Sequence, residues 1–264
     1  MKYNWATKEA AVALTAALAF FCEYVDSALG MGYGTTLTPL LLLLGYPPTV
    51  VVPTVLFSEF LSGLTAGAFH HKLGNISLRH GSRDRSIVLA LASTGIVGAV
   101  VAVFVAVRIS TPVLKGYIGA MVLAMGILVF VFRKVQLRFS WSRIFALGVV
   151  SAFNKGISGG GYGPLVVSGQ ILSGHHTRGA IGATSIAEGL ICAVGFSLYL
   201  VFNGGTGWFN ENWQTCLPIV AGALIAAPVA AWTTRAIARR IDLRFVVAGL
   251  TCVLGAWTLL KTFA

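Results

Sequence analysis

Apolar runs of membrane length, cut by short polar or glycine-rich stretches, follow one another along the chain in an order that occurs twice. In the first half a helix is expected near 9–27, a break at 28–35 and a short apolar piece to Leu44. Gly45-Tyr46-Pro47-Pro48 then makes a turn, and longer runs follow at 49–69, 86–107 and 112–132. The second half repeats this near 142–155, 156–163, 164–173, 178–202, 213–234 and 243–261. A hydrocarbon core about 30 Å thick takes about 20 helical residues, so the long runs predict membrane spans. The pieces 36–44 and 164–173 are too short to cross alone. They read as broken or re-entrant helices, allowed only where protein or a wet cavity encloses the freed backbone. The expected count is therefore eight to ten membrane segments.

The repetition is ungapped. A shift of 129 positions carries Gly30, Gly32, Tyr33 and Gly34 onto Gly159, Gly161, Tyr162 and Gly163. It also carries Gly45 onto Gly174, Glu59 onto Glu188, Leu114 onto Leu243 and Gly126 onto Gly255. A duplicated membrane unit with a glycine break in each half points to a transporter whose site lies between the repeats. The expected fold is an all-α polytopic membrane protein, one transmembrane domain over 1–264, with repeat 1 at about 5–135 and repeat 2 at about 140–264.

Composition agrees: 56% of the 264 residues are hydrophobic and 10% charged, against about 25% charged in soluble domains. The net charge of +11 would suggest nucleic acid in a soluble protein, but here the basic residues sit in short loops and no nucleic-acid motif is present. Lys72, Arg79, Arg83 and Arg85 fall in 70–85; Arg133, Lys134, Arg138 and Arg143 in 133–143; Arg235, Arg239, Arg240 and Arg244 in 235–244. Placing these three loops in the cytoplasm gives each half an odd number of crossings. Of the opposite loops, 45–48 and 203–212 carry no basic residue and 108–115 carries Arg108 and Lys115. The repeats are then inverted and both termini lie outside, although Lys2, Lys8 and Lys261 dissent. The first helix reads as uncleaved, since its run continues into Glu23 and Asp26 without a small-residue cleavage site. Cys22, Cys192, Cys216 and Cys252 lack CxxC spacing and read as small buried hydrophobes.

Five acid or lysine residues are expected at membrane depth: Glu23, Asp26, Glu59, Lys155 and Glu188. Burying such a charge costs about 2.5–3.5 kcal/mol, which makes each a functional candidate. Lys155 precedes Gly156 to Pro164, and the proline predicts a helix N-terminus there. Helix N-termini offer free N–H groups to an anion. Asn154, Ser158, Gly161, Tyr162 and Gly163 surround that point; Ser27, Gly32, Tyr33, Gly34, Thr35 and Thr36 surround its equivalent, with Thr35 or Thr36 as helix cap. Together they form a candidate site for a small oxyanion, with Asp26, Glu59 and Glu188 as coupling or gating groups. The structural alternatives are GxxxG packing, an ion pair between Lys155 and its repeat equivalent Asp26, and carboxylates bracing the broken helix. His70, His71, His80, His175 and His176 read as solvated loop groups, with metal binding as the alternative, and Trp208 and Trp213 as interfacial belt residues.

The segment Ala28-Leu29-Gly30-Met31-Gly32-Tyr33-Gly34, the following Thr36 to Pro39, the turn before Pro47-Pro48, the stretch Gly156 to Pro164 and the helix around Glu188 resemble the TauE/SafE family of sulfite and organosulfur-anion exporters. The resemblance covers nearly the whole chain and implies a cell-membrane permease for sulfite, thiosulfate, sulfoacetate or a related sulfonate. The expected machine is a secondary carrier working by alternating access, with proton coupling through Glu59 or Glu188. It needs no cofactor or resident metal; its partners are a small anion and the lipid bilayer, with a homodimer left open and nucleic acid excluded. Two rivals exist. One is a passive anion channel. The other is an intramembrane serine protease using Gly156-Ile157-Ser158-Gly159, which would need a histidine beside Ser158.

Overall fold

The computed structural model describes residues 5–131, 138–237 and 241–264. Arg133, Lys134, Arg239, Arg240 and Lys2, which entered the loop-charge argument, lie outside the described residues, as do the side chains of Lys8 and Arg235.

Among the described residues the chain is all helix: α1 Trp5–Leu29, α2 Tyr33–Leu43, α3 Pro48–Lys72, α4 Arg83–Ala106, α5 Thr111–Val131, α6 Trp141–Ser158, α7 Tyr162–Leu172, α8 Thr177–Phe202, α9 Thr206–Ile237 and α10 Ile241–Phe263. The 129-residue shift maps α2 onto α7 end for end, and α1 and α6 finish at equivalent residues, Leu29 and Ser158. Among the described residues seven helices are long and apolar enough to cross a membrane. The 18 residues of α6 fall outside that set. With 11 residues each, α2 and α7 reach about 16 Å at 1.5 Å per residue and cannot span.

Two expected boundaries move. Pro164 is not the first residue of α7, which begins at Tyr162 behind Gly161 in the left-handed region (φ 83°). In the same way α2 begins at Tyr33 behind Gly32, so Thr35 and Thr36 lie inside the helix and neither caps it. The glycines reach conformations closed to other residues and release the chain into a helix earlier than the proline signal suggests. The outer loop expected over 203–212 also shrinks. Asn203, Gly204 and Gly205 make the turn, α9 starts at Thr206, and Trp208 is buried rather than interfacial, donating from Nε1 to the Thr49 carbonyl at 3.2 Å.

Each half packs mainly against the other, not against itself. α1 lies along α9 and its equivalent α6 along α4, while α3 crosses α8 and α5 crosses α10. The close approaches respect the repeat. Gly126 meets the Ala248 carbonyl and Cys252, and its equivalent Gly255 meets the Gly119 carbonyl and Leu123. Small residues let helix backbones touch in this way, the usual means of packing where lipid supplies no hydrophobic drive. Outside, Phe21, Leu89, Val101, Val131, Val201, Ile225, Trp232 and Leu260 form an exposed apolar surface, as a bilayer requires.

Contacts between loops sort the helix ends. Asp84 at the start of α4 meets His175 before α8, Arg83 lies over Phe139 before α6, and Asn75 after α3 donates to Ala231 near the end of α9. These segments share one end, where Arg79, Arg83, Arg138 and Arg143 lie; Arg108, between α4 and α5, lies at the other. At the other end Trp208 meets Thr49, and Lys261 donates to the Leu43 carbonyl at 2.7 Å. Leu43 closes α2, so the short helix turns back toward the end from which α1 set out.

Candidate functional site

The two breaks cross each other backbone to backbone. A methyl group on Gly34 would overlap the Gly159 carbonyl and crowd Gly160; one on the equivalent Gly163 would overlap the Gly30 carbonyl and crowd Met31. Under the repeat shift these are one contact made twice. The GxxxG spacing therefore does pack backbone closely, and it does so at the centre of the candidate site.

Ser158 knots the second break. Its hydroxyl donates to the Asn154 carbonyl at 2.7 Å and accepts from Gly160 N–H at 3.1 Å. Among the described residues no histidine hydrogen-bonds to it. In the first break Asp26 accepts from the Tyr33 N–H at 3.1 Å, placing a carboxylate at the start of α2. That helix end already has an anion, supplied by the protein. In α7 the equivalent of Asp26 is Lys155, and no side chain caps the helix.

The two ends of the broken helices are finished by a pair of side chains that differ in type. His70 Nε2 donates to the Ser27 carbonyl at 3.0 Å, and Tyr199 hydroxyl donates to the Gly156 carbonyl at 2.9 Å. Ser27 and Gly156 are repeat equivalents, and so are His70 and Tyr199. A buried carbonyl stripped of its helical partner needs a donor; each half supplies one from the last turns of its long helix. Asn75 Nδ2 donates to His70 Nδ1, fixing the neutral Nε2–H tautomer.

The ionisable groups converge. Lys155, 0% exposed, is ion-paired with Glu59 and with Glu188, the latter at 2.9 Å. Its partners are thus the two equivalent glutamates rather than Asp26, and the glutamates hold the lysine instead of bracing backbone N–H groups. One oxygen each from Asp26, Glu59 and Glu188 lies within 4.8 Å of the others. Glu23 joins them: Oε1 accepts from the Ser27 hydroxyl at 2.6 Å, while Oε2 is buried without a hydrogen-bond partner. A small cavity is lined by Glu23, Asp26, Glu59, Gly63, Ser185 and Glu188. Of these four carboxyl groups, Glu59 and Glu188 hold the Lys155 ammonium.

Hydroxyl groups ring the crossing. Tyr33 hydroxyl is hydrogen-bonded to Ser58. Its equivalent Tyr162 has no partner, because Ala187 stands where Ser58 would. Thr35, Thr38, Thr54, Ser62 and Ser151 also carry buried, unpartnered hydroxyls. Thr36 is buried beside them. Asn154 turns away: Tyr117 of α5 donates to its Oδ1 at 2.6 Å. Ser58, Ser62, Thr38, Thr54 and the His70–Tyr199 pair were invisible to sequence reasoning, which followed charge and glycine. Only Glu23 carried a signal, one helical turn before Asp26.

The histidines are not uniformly solvated. His70 is fully buried, and His175 is buried with Nε2 2.7 Å from Asp84 Oδ1. Burial pushes the His175 imidazole below its ordinary value, against the pull of Asp84. His71, His80 and His176 are exposed.

Three comparisons bear on these features. The family model for the sulfite exporter TauE/SafE matches residues 15–258. "Probable membrane transporter protein YtnM" of Bacillus subtilis (strain 168) is 28% identical over 252 residues, covering 90% of this chain and 79% of that protein. No solved structure matches.

Proposed function

Because this chain belongs to the sulfite exporter TauE/SafE family, a family of membrane transporters, we propose that it carries a small sulfur-containing anion such as sulfite, thiosulfate, sulfoacetate or a related sulfonate by alternating access. The observation that carries the reading is Lys155 shared between Glu59 and Glu188 beside the crossed breaks. With Glu23, Asp26, Glu59 and Glu188 ionised against Lys155, the cluster would hold a charge of 1 − 4 = −3 and would repel an anion. Protons entering with the solute remove that repulsion. Protonating Glu59 or Glu188 also frees one face of the ammonium, to which the anion binds beside the uncapped start of α7 and the unpartnered hydroxyls. Proton and anion are therefore taken up together, and Lys155 changes partner rather than standing idle.

The halves are read as inverted repeats. Each has α3, α4 and α5, or α8, α9 and α10, as crossings, plus one helix pair that enters and returns. Rocking one half against the other would expose the centre to alternate sides. By the positive-inside rule the basic end is cytoplasmic in the cell membrane and both termini lie outside.

The test is uptake of sulfite, thiosulfate, sulfoacetate and sulfate into proteoliposomes with and without an imposed pH gradient. A carrier of this kind shows saturable counterflow of at least one sulfur anion, accelerated by the gradient. Lys155→Ala loses that transport and Glu188→Gln loses its dependence on the gradient. Normal transport by a folded Lys155→Ala protein overturns the anion's placement. Large single-channel currents without counterflow would make the protein a channel.

A further inference from the structure

We propose that the basic end carries a binding site for one divalent transition-metal ion of the zinc or nickel kind, formed by Asp84, His175 and His176 over the bare backbone of Gly179. The site stands on its own residues and does not depend on the transport reading.

The tautomer of His175 is set by Gln170. Its Nε2 donates to Thr184 Oγ1 at 2.9 Å, and that hydroxyl in turn donates to the Ala180 carbonyl at 2.8 Å, so the amide cannot be turned over without loss. Gln170 Oε1 therefore faces His175 Nδ1 at 3.0 Å, and Nδ1 carries the ring proton. Nε2 is left with a lone pair, yet it lies 2.7 Å from Asp84 Oδ1. Two acceptors at that separation repel unless a cation lies against both. The other Asp84 oxygen is occupied, accepting from Ser77 N–H at 2.8 Å, which holds the carboxylate in place.

Gly179 shows where the cation would sit. A methyl group built there would overlap His176 Nε2 and Cε1 and stand 3.1 Å from His175 Nε2, so the nitrogen-bearing edges of both rings border the space a side chain would fill. The exposed His176 ring is T-shaped to His175 with centroids 4.9 Å apart. The ligand atoms of Asp84, His175 and His176 all lie within 4.8 Å of one another. Tetrahedral bonds of about 2.0–2.1 Å set ligand atoms roughly 3.4 Å apart, so Asp84 and His175 would part slightly to admit the ion while the exposed His176 swings in. His71 faces the same polar cavity as Asp84 and His176, with Nδ1 donating to the Ile76 carbonyl at 3.2 Å and Nε2 left as an acceptor. Ligating histidines are oriented in this manner, by an oxygen on the second nitrogen. Imidazoles with a single carboxylate favour zinc, nickel or copper over magnesium or calcium.

Charged neighbours oppose the ion without blocking it. Arg79 lines the cavity, Arg83 is drawn over the Phe139 ring at 4.0 Å, and Arg178 follows His176 by two residues. The ligands come from both halves: Asp84 opens α4, and His175 and His176 precede α8. A bound ion thus ties the halves together at one end only. The repeat equivalents at the other end, Trp213, Tyr46 and Pro47, cannot do the same.

The test uses the full chain in detergent, stripped with chelator, then dialysed against zinc and assayed for metal content and Tm. One zinc per chain and a zinc-dependent rise in Tm are expected. Gly179→Ala places its methyl group in the ion's position while suiting a helix, and His176→Ala removes an exposed ligand; each should weaken zinc binding about tenfold or more. His80→Ala, exposed in the neighbouring loop, should bind as the parent does. Absence of stoichiometric zinc from the parent would mean that a proton alone bridges His175 and Asp84, and would overturn the proposal. So would parental affinity in both Gly179→Ala and His176→Ala.

Discussion

Lys155 shows how a single residue type constrains its surroundings. An ammonium at 0% exposure is tolerable only with carboxylates against it, and Glu59 and Glu188 supply them. Removing the cation strands two carboxylates. Lys155→Met should cost about 3–5 kcal/mol, the usual penalty for breaking a buried pair, seen as a lower Tm in detergent. Adding Glu59→Gln and Glu188→Gln should recover part of it; no recovery would mean that the lysine stem, not its charge, matters. The sequence marked all three residues as costly in lipid, and the 129-residue shift made the glutamates equivalents of each other. It did not reveal that both hold one lysine, because that lysine's own equivalent is an aspartate. Charge pairing breaks the repeat's symmetry where the chemistry is concentrated.

The helices were legible from hydropathy and length, and the breaks from glycine. What escaped were features set by tertiary contact. α9 begins at Thr206 because Trp208 packs inward onto Thr49, which no local pattern announces. The donors that finish the broken helices are a histidine in one half and a tyrosine in the other, so residue identity conceals a shared role. The glycines at the crossing are the element-scale test. Gly34 and Gly163 both have ordinary helical backbone, so alanine there carries no conformational strain and only collides. Gly34→Ala and Gly163→Ala should each lower Tm by similar amounts, and the pair together should fall short of additive because both act on one joint. Gly249→Ala, with nothing near its added methyl, is the matched control and should leave Tm unchanged or slightly raised.

At the scale of the molecule, the ends are told apart by side chemistry. One end holds the Asp84–His175 contact. Toward the other, Phe57 stacks on Phe196 with Trp208 beside it. If the basic end is cytoplasmic, an impermeant thiol reagent should label His80→Cys only after cells are opened and Gly204→Cys in intact cells, each in a background lacking the native cysteines. The reverse pattern would invert the topology without disturbing the packing.

The contact made twice at the glycine crossing has one more implication. Since each half presents the other with the same backbone joint, the two halves can trade shapes without rebuilding it. On the proposed carrier reading, lending the first half the conformation now held by the second, and the second that of the first, would give the companion arrangement that alternating access requires. One resting shape would then serve as a blueprint for its counterpart.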